Sequence, residues 1–239
     1  SFATKASKQR KAKRGKEATV EKKIIYQPLV PENIEEISGW TTFVSFFKIN
    51  FLSMFKSTTF VILLLFSLIL LISNLWGGFE YFGLKSYPVT YKMLDEVNNL
   101  SSLFVLIILV FFSGELVWRD RDNHINEVID GTPHRSVISL VAKTLSLVSL
   151  ACILHLTLMV VAIFYQALNG YTNFELNVYL QDFFTGAFFV YLTWGGLLIF
   201  LQVIINNKYI GYFASVVLLF MLDIIYLVLK IETNMLSIG

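Results

Sequence analysis

Charge is what this 239-residue sequence has least of: Asp, Glu, Lys and Arg together make up 15%, against 56% apolar residues and 22 phenylalanines. A soluble domain of this length needs far more charge to cover its surface, so that class is excluded first. Cysteine is nearly absent, and the single Cys152 rules out an intrachain disulfide. Histidine occurs only at 124, 134 and 155. His124 and Glu127 have an i, i+3 spacing that a metal can use, but two ligands without partners do not make a zinc centre. No G-x-x-x-x-G-K-[ST] phosphate loop is present, since "GTPHRS" lacks both the spacing and the lysine. No serine or cysteine stands in a nucleophile constellation. The sequence therefore predicts no catalytic residue, no metal site and no cofactor in this chain. Solenoid repeats are also missing; "LWGGF" and "TWGGL" recur at 75–79 and 193–197, too short a match to mark duplication.

What is abundant is long apolar runs. Several approach or exceed the roughly 20 residues that cross a bilayer as helix, which predicts an all-α integral membrane protein. Five spans are expected, at about 57–76, 100–118, 137–166, 183–205 and 209–229. The third is longer than a bilayer is thick, so its first turns, including Lys143, are expected to project beyond it. The last two are joined by only "NNK" at 206–208, which forces an antiparallel hairpin. A short helix around 92–99 is possible in the loop that precedes the second span. Before the first span, "WTTFVSFFKINFLSMFKS" (40–57) has Phe43, Phe47, Phe51, Met54 and Phe55 at helical spacing, with Thr41, Ser45, Lys48 and Lys56 opposite. That pattern suits a helix lying in the membrane interface. The plainer alternative is an extension of the first span.

Residues 1–56 hold 11 Lys/Arg against 5 Asp/Glu, clustered in "KASKQRKAKRGK". Such a run can meet anionic lipid or nucleic acid. No stacking aromatics interleave it, so residues 1–38 read as a basic cytoplasmic linker, and no nucleic-acid partner is expected. Residues 39–239 form the membrane domain. The chain begins with Ser and its basic run is not followed directly by an apolar stretch, which gives the expectation of a piece of a longer protein rather than a signal peptide. With the amino terminus cytoplasmic, Arg119, Arg121, Arg135, Lys143 and Lys208 join the basic tail inside, leaving Lys85, Lys92 and Lys230 outside.

Between the second and third spans lies "GELVWRDRDNHINEVIDGTPHRS" (114–136). Asp120 or Asp122 can cap a helix start, and Ile125, Val128 and Ile129 then fall on one apolar stripe. Gly131 and Pro133 stop the helix. The expected product is a helix over about 121–131. So short a helix is unstable alone and must dock on something. A loop needed only to reverse the chain can be as short as "NNK".

The stretch "FFSGELVWRDRDNHINEVIDGTPHRSVISLVAKTLSLV" (111–148) resembles the intracellular loop of type-2 ABC exporter permeases. With "SYPVTYKMLDEV" (86–97) it is similar to the second membrane half of bacterial permeases fused to a zinc aminopeptidase-like domain. The resemblance covers about residues 40–230. It implies an interfacial connecting helix, a coupling helix and six spans per half, of which five are visible. It also implies a multi-pass protein of the bacterial cytoplasmic membrane. Its partners are then a second permease half and separate ATPase subunits, which bind the ATP and Mg. The residues implied to dock on the ATPase are Arg119, Asp122, His124, Ile125, Glu127, Val128, Ile129, Asp130 and Pro133. No His-Glu-x-x-His motif occurs, so nothing supports peptidase activity in this chain.

Three ionisable residues near or within the spans complete the set: Glu115, His155 and Asp223. Such groups are costly in hydrocarbon unless paired. Glu115 is read either as a hinge contact, pairing Arg119 one turn later, or as a side chain reaching interfacial water. His155 and Asp223 either pair along a path or make ordinary hydrogen bonds between helices. The resulting functional expectation is the transmembrane subunit of an ABC-type exporter. The alternative is a membrane anchor or scaffold half of a permease–aminopeptidase fusion, acting on envelope peptides or proteins without transport. No span carries a regular polar stripe, which counts against a channel.

Overall fold

The computed structural model describes residues 39–76, 80–81, 84–85, 87–122 and 136–228; the side chains of 80, 81, 84, 85, 136 and 222–228 are not described. All of these lie in one compact unit, Ser38–Gly239. The basic segment 1–38 and the segment 123–135, with most of the expected coupling helix, fall outside the described residues.

The described elements are helical except for a two-residue antiparallel strand pair. In order they are α1 (Gly39–Phe55), α2 (Thr58–Trp76), β1 (Glu80–Tyr81), β2 (Leu84–Lys85), α3 (Thr90–Asp122) and α4 (Ser136–Leu168). There follow α5 (Leu176–Gln181), a π-helical turn (Asp182–Ala187), α6 (Phe188–Ile204) and α7 (Lys208–Val228). The strands pair Glu80 with Lys85 and Tyr81 with Leu84. Four helical runs are long and apolar enough to cross a membrane: Thr58–Trp76, Thr90–Asp122, Val137–Leu168 and Leu176–Ile204. They fit a multi-pass membrane protein. Outward-facing Ile62, Leu65, Phe66 and Ile69 on α2 present an apolar surface suited to lipid and unsuited to water.

Several boundaries differ from those expected. The short helix around 92–99 is not separate. It is the first part of α3, whose 33 residues are about 50 Å long against a hydrocarbon core of about 30 Å. Met93, Val97, Ser101, Phe104, Ile108 and Phe112 are all buried, so one inward stripe at helical spacing runs unbroken from the polar start into the apolar run. Asp120 and Asp122 lie in the last turn of α3, not at a new helix start, and Arg119 and Arg121 share that turn where the helix dipole favours cations. The fourth apolar run begins at Leu176, seven residues before the expected start at 183, and carries the π turn near its beginning.

α1 is a helix in its own right. Lys56 and Ser57 break the chain after it, and the Ser57 Oγ accepts the Phe60 N–H (3.2 Å) to cap α2. Its aromatic row, Phe43–Phe47–Phe51–Phe55, forms a stacked ladder with centroids 5.6–6.2 Å apart. The residues of α1 that are buried are Asn50 and Met54, turned towards the bundle.

α4 is the central helix and packs against α1, α2, α3 and α6. Ala142, Ser146, Ala151 and Ala162 on it are buried, and such small side chains let neighbours approach closely. At one crossing a Cβ on Gly195 of α6 would come within 3.1 Å of Val148 Cγ2. α4 ends in a Schellman turn. Gly170 takes φ +75°, its N–H bonds to the Ala167 carbonyl (3.2 Å), and the Tyr171 N–H bonds to the Gln166 carbonyl (3.0 Å).

The same end of the bundle is tied by Gln166. Its Nε2 donates to the Pro88 carbonyl (2.8 Å) ahead of α3, and its Oε1 accepts from the Tyr179 hydroxyl (3.0 Å) of α5. Gln166 is fully buried, so removing it strands two polar groups. Gln166→Leu is expected to lower stability by about 1–3 kcal/mol, read as a drop in the thermal unfolding midpoint in detergent. An unchanged midpoint contradicts this role.

Candidate functional site

The last turn of α3, "VWRDRD" (117–122), reaches four other helices. Arg119 points to α1: one guanidinium nitrogen donates to Ser53 Oγ and the other to Asn50 Oδ1 (2.9 Å), while Nε lies 3.8 Å from Asp120 Oδ1. Asp120 accepts from Lys143 Nζ of α4 at 2.6 Å, and both side chains are mostly buried, 13% and 16% exposed. Arg121 crosses to the end of α6, donating to the carbonyls of Val203 (2.7 Å) and Ile205 (2.9 Å). The Ile205 backbone is extended and ends the helix, so Arg121 satisfies carbonyl groups there that lack partners within the helix. The guanidinium also lies 4.6 Å from the centroid of the Trp118 ring, within cation–π range. Asp122 accepts from Lys208 Nζ at 3.1 Å at the start of α7. That hydrogen bond holds the Lys208 ammonium above the ordinary lysine value.

A second row lies beneath these charges. Trp118 Nε1 donates to Gln202 Oε1 (2.9 Å), Gln202 Nε2 donates to Ser215 Oγ (3.1 Å), and Ser215 Oγ donates to the Gly211 carbonyl (2.9 Å). Gln202 and Ser215 are fully buried. Two glycines make this crossing possible: a Cβ on Gly211 would overlap the Gln202 amide, and a Cβ on Gly114 would overlap the Tyr212 ring. The Tyr212 hydroxyl reaches the Phe111 carbonyl at 3.4 Å. Between α3 and α7 a cleft of about 670 Å³ opens, lined by Phe111, Glu115, Arg119, Asp122, Lys208 and Tyr212.

The structure thus brings Glu115, Arg119 and Asp122 to one cleft. Arg119 extends from it to Asn50 and Ser53 of α1 and to Asp120. His124, Ile125, Glu127, Val128, Ile129, Asp130 and Pro133 lie outside the described residues. Asp223 belongs to α7, but its side chain is not described. His155 bonds to groups on other helices: its Nδ1 is 2.8 Å from the Tyr191 hydroxyl of α6 and 3.0 Å from Ser101 Oγ of α3. Ser101 Oγ also donates to the Asn98 carbonyl (3.2 Å); the donor and acceptor roles at Nδ1 follow the imidazole tautomer, and the second ring nitrogen is Nε2. That Nε2 is buried with no partner among the described residues. Nearby, Asn98 Nδ2 donates to Asp182 Oδ2 (3.1 Å), fastening the π turn to α3.

Sequence reasoning missed Trp118, Arg121, Gln202 and Tyr212 as members of the site. Gln202 carried a signal, a lone amide within "LIFLQVII". The others gave none, because their partners lie more than 80 residues away in the chain. No group of three or more metal-ligating side chains stands together among the described residues. Comparison with protein-family models, curated proteins and solved structures finds no match to this chain.

The Asp120–Lys143 contact is the shortest ion pair of the site among the described residues, and its energy is separable. Asp120→Asn and Lys143→Gln are each expected to destabilise, and together by less than their sum, with a coupling of about 1 kcal/mol. Thermal or denaturant unfolding in detergent measures it; strict additivity rules the coupling out.

Proposed function

We propose that this chain is the transmembrane subunit of an ABC-type exporter, driven by a separate ATPase that binds ATP and Mg. The observation that carries the reading is the last turn of α3. It leads directly into segment 123–135 and is bonded to α1 through Arg119, to α4 through Asp120, to α6 through Arg121 and to α7 through Lys208. A displacement applied at Asp122 is therefore passed to four other helices at once. Such a junction suits a part that receives force from outside the membrane domain. The resemblance of 111–148 to permease coupling loops supplies the identity of the force: an ATPase docked on Ile125, Val128 and Ile129.

In this reading the charged end faces the cytoplasm, as the clustering of Arg119, Arg121, Lys143 and Lys208 favours. α7 is the fifth span, its 21 residues being long enough to cross. α1 is the connecting helix, held beside α4 by the Ser146 hydroxyl, which donates to the Phe47 carbonyl at 3.1 Å. A second permease half completes the path, and the cell boundary is the bacterial cytoplasmic membrane. Work is done only if the ATPase binds two arrangements of the bundle with different affinity. The glycine crossing at Gly195 meets only apolar side chains of α3 and α4, and such a contact can slide without losing a polar partner.

The experiment is co-purification. Tagged chain extracted from its native membranes is expected to carry vanadate-sensitive ATP hydrolysis, and Ile125→Asp with Val128→Asp is expected to remove it while leaving the unfolding midpoint unchanged. Hydrolysis that persists in the double variant contradicts the docking role. Unaltered chain that brings no hydrolysis favours the anchor or scaffold reading instead.

A further inference from the structure

The geometry points to a binding site for the headgroup of an aminophospholipid, phosphatidylethanolamine in kind, in the cleft between α3 and α7. The proposal needs the bundle to lie in lipid but does not depend on transport. The cleft's volume of about 670 Å³ is within the range of small-molecule sites, and it opens at the end of the apolar helices, where headgroups lie. Its lining has two parts. Phe111, Tyr212 and Glu115 make its apolar and acidic part; the Asp122–Lys208 pair, whose side chains are 57% and 43% exposed, makes the other.

Charge accounting then selects the ligand. Asp122 and Lys208 hold each other at 3.1 Å, and Arg119 is spent on Asn50, Ser53 and Asp120. Among the described residues no hydrogen bond or ion pair reaches Glu115, which is only partly exposed. A carboxylate so placed, with the Phe111 and Tyr212 rings in the same lining, favours a cation. Lys208 has three N–H donors, of which Asp122 takes one, leaving others that a phosphate can accept from. A ligand carrying an ammonium and a phosphate a few bonds apart satisfies both residues at once. A primary ammonium also donates hydrogen bonds to the carboxylate, which a quaternary choline lacks. Acyl chains leave along the apolar faces of α3 and α7, past exposed Phe213 and Val217.

The test uses the full 239-residue chain in maltoside micelles with native mass spectrometry. The probes are phosphatidylethanolamine, phosphatidylcholine, phosphatidylglycerol and soluble phosphoethanolamine. Phosphatidylethanolamine is expected to be retained about five- to tenfold better than the other two lipids, the size of one half-exposed charge contact plus a ring contact. Glu115→Gln is expected to erase that preference with the other lipids unchanged, and Lys208→Gln to weaken all three phospholipids alike. Equal retention of the three lipids by the unaltered chain overturns the proposal, whether or not a variant folds. Soluble phosphoethanolamine binding as tightly as the lipid overturns the lipid source. A crosslinker at position 115 that captures a second copy of the chain in place of lipid assigns the cleft to an interface and also overturns it.

Discussion

Arg121 bonding to the open carbonyls at the end of α6 is the contact on which the charged end of this molecule depends. Helix ends expose carbonyl groups that have no partner within the helix. One guanidinium covers two of them and stacks on Trp118, which in turn holds Gln202. Because Gln202 bonds Ser215, the same arginine fixes how the α6–α7 turn meets α3. Lys208 then finds Asp122 at the start of α7. Remove the arginine and each later contact loses the geometry that brought its partners together.

At the opposite end a single amide does comparable work. Gln166 joins the chain ahead of α3, the end of α4 and the start of α5, and Tyr165 adds a hydrogen bond to the Leu75 carbonyl of α2 (2.7 Å). Between the two ends the described core is mainly apolar, and the His155–Tyr191–Ser101 group and the Ser146–Phe47 contact join helices within it. The bundle is thus pinned at both rims by polar contacts and filled between them by van der Waals packing, with small residues at the crossings. Polar networks at the rims have fixed geometry, while an apolar crossing over glycine tolerates sliding.

The apolar runs were legible because lipid demands them: a span must be continuously apolar, and composition shows it. What composition hid was continuity. "TYKMLDEVNN" looks like a loop, yet Met93, Leu94 and Val97 continue the buried stripe of α3. The charges at 119–122 were legible as important and misread in form. An aspartate serves equally as a helix cap or in a last turn, and only the partners decide. Those partners, Asn50, Lys143, Ile205 and Lys208, come from four other segments of the chain. Glu115, Arg119 and Asp122 were named from the sequence and do share one cleft. Tyr212, which faces them, was invisible because its place depends on a missing Cβ at Gly114. The docking stripe at Ile125, Val128 and Ile129 lies outside the described residues, so it rests on sequence pattern alone.

Hydrogen exchange read by mass spectrometry tests most directly whether the end of α3 is the shared fastening. In the Arg119→Ala, Arg121→Ala double variant the account predicts faster exchange in α1 around residues 50–56 and across 203–211, with residues 166–179 at the far rim unchanged. Faster exchange confined to α3 would contradict it, because the helices would then be held independently of that turn.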